Sequence, residues 1–333
     1  MKFTDRKLLV VGDIILDEYI HGEATRISPE APVPIVKFRE AEYRLGGAGN
    51  VAANIATLGG NAHIIGVAAI DRGSERLGHL FRTHGLLYSL FYRHGVHGRT
   101  TIKTRITANG QQLCRVDTEC CDPLPESLLA NLVSNIRDQA GSACAIVVSD
   151  YAKGVITPEV MDTIRSCAES AGIPIFLDPK VSHADTYRSR YSGYPLEVIT
   201  PNHHEAEGLG GKYDLYDTAT SISARYAAKN VLITCGESGM TLVSHIPNAP
   251  MKRTDIPTAA KEVFDVSGAG DTVIAALTLA VVSGYSVEQA ARLANLAAGV
   301  VVGKRGTATV SYDELAAAGG AEITLDSITV SSP

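Results

Sequence analysis

Short, almost unbroken apolar runs recur along this chain, separated by stretches long enough to form helices. The first run, Leu8-Leu9-Val10-Val11, stops at Gly12-Asp13. Others fall at about 62–67, 144–149, 173–177, 196–200 and 230–235. Helix-length amphipathic stretches lie between them at about 49–58, 74–84, 125–140, 157–171 and 218–229. A strand apolar at every position needs cover on both faces of its sheet, which parallel sheets obtain from crossover helices. The alternation predicts an α/β fold with a mostly parallel central sheet flanked by helices.

Two segments depart from that rhythm. Residues 17–41 and 97–117 read as period-2 strands with no helix between them, which predicts a small β-sheet lid on the α/β core. A length of 333 residues fits two domains or one large α/β domain. No composition shift, long linker, repeat or low-complexity stretch marks a second unit, so one domain over 1–333 is expected. Residues 323–333 are polar and read as a docked strand or a frayed end.

Charge and composition remove several function classes. Thirty Lys+Arg against 36 Asp+Glu, with no basic stripe, disfavours sequence-independent nucleic-acid binding. A phosphorylated ligand must then be held by a few placed cations and backbone N–H groups. The six cysteines show no CxxC pair and no metal-ligand spacing, and Met1-Lys2-Phe3-Thr4-Asp5-Arg6 does not open a signal peptide. A reduced, cytoplasmic protein is expected. The longest apolar run, Val273 to Val282, is interrupted by Thr278 and is too short for a bilayer, so no membrane association is expected. There are 31 glycines, about 9% against a usual 7%, and they cluster where backbone must approach something closely.

Ligands of open parallel sheets bind beyond the carboxyl ends of the strands. Several strands here end in polar clusters: Gly12-Asp13, Ser149-Asp150-Tyr151, Asp178-Pro179-Lys180, Thr200-Pro201-Asn202 and Thr234-Cys235-Gly236. That convergence predicts an active site.

Three motifs carry chemistry. In Asp265-Val266-Ser267-Gly268-Ala269-Gly270-Asp271-Thr272, small residues at a loop-to-helix junction leave the N–H groups of Gly268, Ala269 and Gly270 uncovered. With the helix dipole behind them they form an anion hole. Asp271, in the first helical turn, is placed to take a proton from a nucleophile while the nest holds the developing charge. The bland alternative is a capped helix after a glycine turn. In Leu45-Gly46-Gly47-Ala48-Gly49-Asn50, a glycine loop lets backbone and Asn50 reach a polyol, or simply lets a helix start pack closely. Its Gly47-x-Gly49-x-x-Ala52 spacing matches a dinucleotide fingerprint, but the nearest clear preceding strand ends around Val11, which argues against a dehydrogenase. In Thr200-Pro201-Asn202-His203-His204-Glu205, Asn202 and Glu205 can face one point and suit Mg²⁺ held largely through water. The alternative for Glu205 is a helix-start carboxylate that favours the dipole. His203 and His204 face different ways and read as exposed residues. No Walker A sequence exists in the chain.

On these residues the chain resembles the ribokinase-like (PfkB) carbohydrate kinases over its whole length. The Gly46–Asn50 loop looks like that family's amino-terminal signature, Asp265–Ala276 like its carboxy-terminal one, and Asn202-x-x-Glu205 like its magnesium-associated motif. A closer resemblance is to heptose 7-phosphate kinases of lipopolysaccharide precursor synthesis. It is carried by Arg26-Ile27-Ser28-Pro29-Glu30-Ala31-Pro32-Val33-Pro34, Ser149-Asp150-Tyr151-Ala152-Lys153-Gly154, Leu177-Asp178-Pro179-Lys180 and Gly299-Val300-Val301-Val302-Gly303-Lys304. Many relatives carry a fused nucleotidyltransferase with an HxGH motif, which this sequence lacks, so only the kinase step is expected.

The resemblance implies an α/β core with a β-sheet lid, ATP and Mg²⁺, Asp271 as base, and an anion hole at Gly268–Gly270. It implies that Asp13, Gly46, Gly47 and Asn50 grip sugar hydroxyls, and that Thr234, Gly236 and Gly239 flank ATP, with Asn295, Gly299 and Lys304 near the adenine. Asn202 and Glu205 would serve the metal and the triphosphate. Lys103 and Arg105, alternating onto one face of a lid strand, are the first choice for the substrate's phosphate, with Arg26, Arg44, Lys153 and Lys180 in reserve. Asp150 and Asp178 read as sugar contacts or strand-end turn residues. Apolar lid strands (Pro34-Ile35-Val36, Ile102, Ile106) predict a homodimer through the lid. The alternatives are a kinase of ribose, a hexose phosphate or a nucleoside, and a non-catalytic sugar-binding regulator.

Overall fold

The computed structural model describes residues 3, 6–94, 98–180, 195–246 and 248–319. Residues 323–333, read above as a docked strand or frayed end, lie outside them, as does residue 97 at the edge of the second lid segment. The chain begins with strands β1 (Lys7–Gly12), β2 (Ile14–Ile27) and β3 (Pro34–Gly47), then helix α1 (Ala48–Thr57), β4 (Asn61–Ala69), α2 (Arg72–Thr83) and β5 (Leu87–Arg93). It continues through β6 (Thr101–Ala108), β7 (Gln111–Thr118), α3 (Glu126–Ala140), β8 (Ala145–Ser149), α4 (Pro158–Ala171), β9 (Ile175–Asp178) and β10 (Leu196–Ile199). Then come α5 (His203–Gly210), α6 (Leu215–Tyr226), β11 (Ala228–Thr234), β12 (Met240–Ser244) and β13 (Lys252–Ile256). Three helices follow: α7 (Ala269–Val282), α8 (Val287–Val302) and α9 (Tyr312–Gly319).

The central sheet has nine strands in the order β13-β12-β11-β10-β9-β8-β1-β4-β5. Every junction from β11 to β5 is parallel, and β12 and β13 add an antiparallel edge. The first apolar run shows how sequence sets this arrangement. Successive strand side chains point to opposite faces, so Leu8 and Val10 enter the core with α1, α7 and α8, while Leu9 and Val11 enter the core with α3 and α4. All four are fully buried. The apolar stretch Val273–Val282 is the body of α7, buried from Asp271 through Ala280. A helix apolar on all sides belongs in such a place.

The lid is a second sheet, ordered β3-β2-β6-β7. Its strands reach further toward the core than the sequence suggests. β2 leaves β1 immediately after Asp13, and β3 runs without a break into α1 at Ala48. A strand therefore does precede the glycine loop directly, contrary to expectation, but it is the antiparallel partner of β2 instead of a parallel βα unit.

Two further expectations need correction. The helix expected at 218–229 is α6, shifted to Leu215–Tyr226: Asp214 accepts from Asp217 N–H at 2.9 Å at its start, and Ala227 at φ +50° ends it without a glycine. Of the apolar lid residues expected to be exposed, Pro34 is, Ile35, Val36 and Ile106 are half-buried and Ile102 packs against the core, while Ile27, Phe38, Leu113 and Val116 are exposed as well.

Candidate active site

The strand ends, the start of α7 and one face of α8 enclose a cavity of about 670 Å³. Asp150, Asp178, Asn202, Glu205 and Thr234 line its strand-end wall. Gly268, Ala269 and Gly270 line it at the start of α7, and Gly236, Gly239, Asn295 and Gly299 line its far end.

Asp271 lies in the first turn of α7, 1% exposed. Its Oδ2 accepts from Asn50 Nδ2 at 2.9 Å, and its Oδ1 accepts from the Tyr151 hydroxyl at 2.8 Å. Asn50 is itself oriented, because its Oδ1 accepts from Asn54 Nδ2 at 3.2 Å. Burial pushes the Asp271 carboxyl up to about 7, against the lowering effect of the Asn50 and Tyr151 hydrogen bonds. The Asp17 charge adds to the rise and Lys180 opposes it. A carboxylate poised near neutrality at a helix N-terminus can accept a proton there.

The turn before it differs from expectation at one residue. Gly268 caps α7 at φ +78°, a left-handed conformation that glycine adopts without strain. Ala269 N–H is not uncovered, since it donates to Val266 O at 3.2 Å. Gly268 and Gly270 N–H make no hydrogen bond among the described residues.

Asp13 is fully buried, and its carboxylate accepts three backbone N–H groups: Tyr151 at 2.8 Å, Lys153 at 2.9 Å and Val155 at 3.1 Å. Burial raises its pKa against those bonds. Its evident task is to fold the 151–155 segment over the strand ends. Gly46 and Gly47 end β3 beside it, where Ala48 N–H donates to Asp13 O at 3.0 Å.

The cations expected to meet a substrate phosphate are engaged elsewhere. Arg105 pairs with Asp17 at 2.5 Å, and Lys103 with Asp117 at 3.5 Å. Asp17 also accepts from the Thr307 hydroxyl at 2.8 Å, which ties the lid root to the loop after α8. Lys153 pairs with Glu119 at 2.5 Å, and Lys180 with Glu205 at 2.7 Å. Arg44 donates to the carbonyls of Arg305 and Thr307, and Arg26 is exposed on the lid. Lys304, expected near an adenine, does not line the cavity: it bonds Thr309 O at 2.7 Å and Glu314 at 2.6 Å.

The sequence reading missed a narrow cleft beside Asp13, with room of only about 10 Å³, lined by Arg93, Arg99, Thr101 and Lys153. Arg93 is 7% exposed and donates to the carbonyl of Asp122 at 2.5 Å, with no carboxylate partner among the described residues. It also gave no role to Tyr151, quoted only within the strand-end cluster and the 149–154 resemblance. A tyrosine directly after a strand-end aspartate was the available signal.

Asn202 and Glu205 form a capping box at the start of α5: Asn202 Oδ1 accepts from Glu205 N–H at 2.9 Å, and Glu205 Oε2 from Asn202 N–H at 2.9 Å. With Lys180 on its other oxygen, Glu205 has the helix-start role kept open above. Asp178 is pushed well above the usual carboxylate range by burial and by the Asp271 and Glu205 charges. Among the described residues this acidic wall carries only Lys180 as a counter-charge in the cavity lining, and such a donor set fits a hard cation held through water. No group of three or more His, Cys, Asp or Glu side chains is arranged as a metal site among the described residues.

The profile of the pfkB family carbohydrate kinases matches residues 5–314. The chain is 40% identical over 332 residues to the bifunctional protein HldE of Granulibacter bethesdensis, covering 95% of this chain and 65% of that protein. It is 42% identical over 312 residues to HldE of Pelobacter propionicus, covering 92% and 62%. The chain thus spans less than two thirds of the length of these relatives. Among solved structures, Escherichia coli phosphofructokinase-2 in complex with potassium superposes with a TM-score of 0.76 at 22% identity, over 93% of this chain and 96% of that one. Arabidopsis thaliana ribokinase complexed with ribose and ATP superposes at 0.67 and 20%, over 93% and 97%. Those likenesses are in fold. The family profile and the HldE identities show more: this chain belongs to the pfkB family of carbohydrate kinases.

Proposed function

We propose that this chain transfers the γ-phosphoryl group of ATP to the 1-hydroxyl of D-glycero-D-manno-heptose 7-phosphate, giving the 1,7-bisphosphate. The observation that carries the reading is the buried Asp271 carboxylate at the start of α7, held on both oxygens beside the N–H groups of Gly268 and Gly270. The heptose assignment draws on the resemblance of 26–34, 149–154, 177–180 and 299–304 to heptose 7-phosphate kinases, and on the similarity to proteins named HldE. It covers the kinase step alone.

In this reading the sugar hydroxyl passes its proton to Asp271 as its oxygen bonds to the γ-phosphorus and the bond to ADP breaks. Gly268 and Gly270 N–H face the negative charge spreading over the transferred group, so catalysis is chiefly positioning and electrostatics. Asn50, Gly46, Gly47, Asp13, Asp150 and Asp178 border the sugar. The nucleotide takes the end of the cavity at Thr234, Gly236, Gly239, Asn295 and Gly299. Mg²⁺, held through water by Asn202, Glu205 and Asp178, would neutralise the phosphate oxygens.

A phosphorylated sugar also needs cations. Arg99, exposed at the edge of the narrow cleft beside Asp13 and with no carboxylate partner among the described residues, is better placed to supply one than Lys103 or Arg105. The lid closes over the sugar to exclude water, and its exposed Ile27, Phe38 and Val116 suit pairing with a second copy. Six unpaired cysteines suit a cytoplasmic enzyme.

A panel of ATP with heptose 7-phosphate, fructose 6-phosphate, ribose and adenosine tests the substrate. The heptose phosphate should lead by kcat/KM. A faster ribose or fructose 6-phosphate would replace the assignment.

A further inference from the structure

Tyr151 follows β8 and touches both carboxylates at the heart of the site. Its backbone N–H donates to Asp13 Oδ2 at 2.8 Å, and its phenol donates to Asp271 Oδ1 at 2.8 Å. One residue thus ties the end of β1 to the first turn of α7. Asn50 holds the other Asp271 oxygen from α1 at 2.9 Å. Two donors on two different oxygens fix the plane of a carboxylate and leave each oxygen a lone pair for the incoming proton.

We propose that Tyr151 is a positioning residue for phosphoryl transfer, its phenol O–H holding the Asp271 carboxylate in the plane from which it meets the sugar hydroxyl. This rests on the reading of Asp271 as the base. Tyr151 does not compete for the proton. Its burial, and after that the Asp271 charge, push its own ionisation well above the ordinary tyrosine range, so it stays a donor while Asp271 titrates. A donor to the carboxylate favours the charged base, an effect opposed by burial. The other groups facing Asp271 are Asp17 from the lid root, Asp178 from the end of β9 and Lys180 just beyond it. The Tyr151 hydroxyl bonds Asp271 and none of these three, so its replacement by phenylalanine removes no hydrogen bond of theirs.

Tyr151→Phe removes one hydroxyl and keeps the ring. Carboxyl ¹³C titration of the ligand-free, ¹³C-aspartate-labelled protein, with the Asp271 signal identified by its loss in Asp271→Asn, reads the base without any substrate. The midpoint should rise by roughly one pH unit. The acidic limb of kcat/KM for heptose 7-phosphate should move with it, about tenfold in rate on that limb, while the high-pH plateau is kept within a few-fold. Comparing both proteins on one substrate cancels titration of the substrate's own phosphate. An unmoved midpoint and limb would overturn the proposal, as would a KM for the sugar raised equally at every pH, which marks a substrate contact. Should Tyr151→Phe not fold, 3-fluorotyrosine at 151, a stronger donor of the same shape, should lower the midpoint, and a midpoint that stays put counts against the proposal. Full turnover in Asp271→Asn would instead defeat the base reading and leave the titration result standing.

Discussion

Asn50 and Asp271 stand 221 residues apart in sequence and meet at 2.9 Å, amide nitrogen to carboxylate oxygen, across the α1–α7 contact. The glycine before α7 makes room for that bond. A Cβ on Gly268 would lie 2.5 Å from Asn50 Nδ2 and 2.9 Å from Thr307 Cγ2, at a φ of +78°. Gly268→Ala should therefore push Asn50 off the carboxylate and cost ~1–2 kcal/mol of backbone strain as well. Steady-state kinetics should show kcat reduced at least about tenfold. Gly270→Ala meets only Asp178 Oδ2, at 4.0 Å, and should leave the Tm nearly unchanged by calorimetry.

Arg105 is a structural latch in this account, not a phosphate ligand. Its partner Asp17 is 4% exposed and also holds Thr307. Arg105→Met should leave that carboxylate unpaired and cost about 3–5 kcal/mol in denaturant unfolding. Asp17→Asn added to it should cost much less than the sum of the two single changes. Strict additivity in the double-mutant cycle would mean the pair is not coupled.

Arg99 lines the cleft beside Asp13 and is exposed, so its loss should spare the fold. Arg99→Ala is expected to raise KM for a sugar phosphate by roughly tenfold or more, a charge-assisted contact being lost. KM for ATP should hold. Equal effects on both substrates would remove the cleft from the phosphate site.

Stability should fall as pH rises toward neutrality. Burial raises the folded-state pKa of Asp271 from 3.8 to about 7, with Asp13 and Asp178 raised in the same direction. The folded state then binds more protons than the unfolded chain between those values, so the slope of unfolding free energy with pH is negative there. The stabilisation is complete below pH ~4 and lost through pH ~7, of the order of a few kcal/mol for Asp271 alone. Urea unfolding at pH 5 and pH 7.5 measures it, and Asp271→Asn should flatten the slope. A wild-type protein no less stable at pH 7.5 than at pH 5 would contradict the shift.

The core was legible because its signal is local. Leu8 to Val11 announce a strand buried on both faces, and small residues before an apolar helix announce the start of α7. The lid's charges were not. Whether Lys103 and Arg105 face a ligand or a carboxylate depends on Asp117 and Asp17, which pairing of β6 with β7 and β2 brings alongside. Likewise Lys304 follows a helix whose face is toward the cavity, yet its side chain turns to Glu314 on the next helix. β5 was missed because it is a half-exposed sheet edge, and Tyr151 because its partner lies 120 residues away.

The most direct test is ³¹P NMR of wild-type protein and Asp271→Asn, each incubated with ATP and D-glycero-D-manno-heptose 7-phosphate. Wild type should yield ADP and a sugar carrying a second, anomeric phosphate. The variant should show that transfer slowed by about a hundredfold or more while still binding the sugar phosphate in calorimetry. Transfer absent from wild type, or equal in the two proteins, would contradict the account.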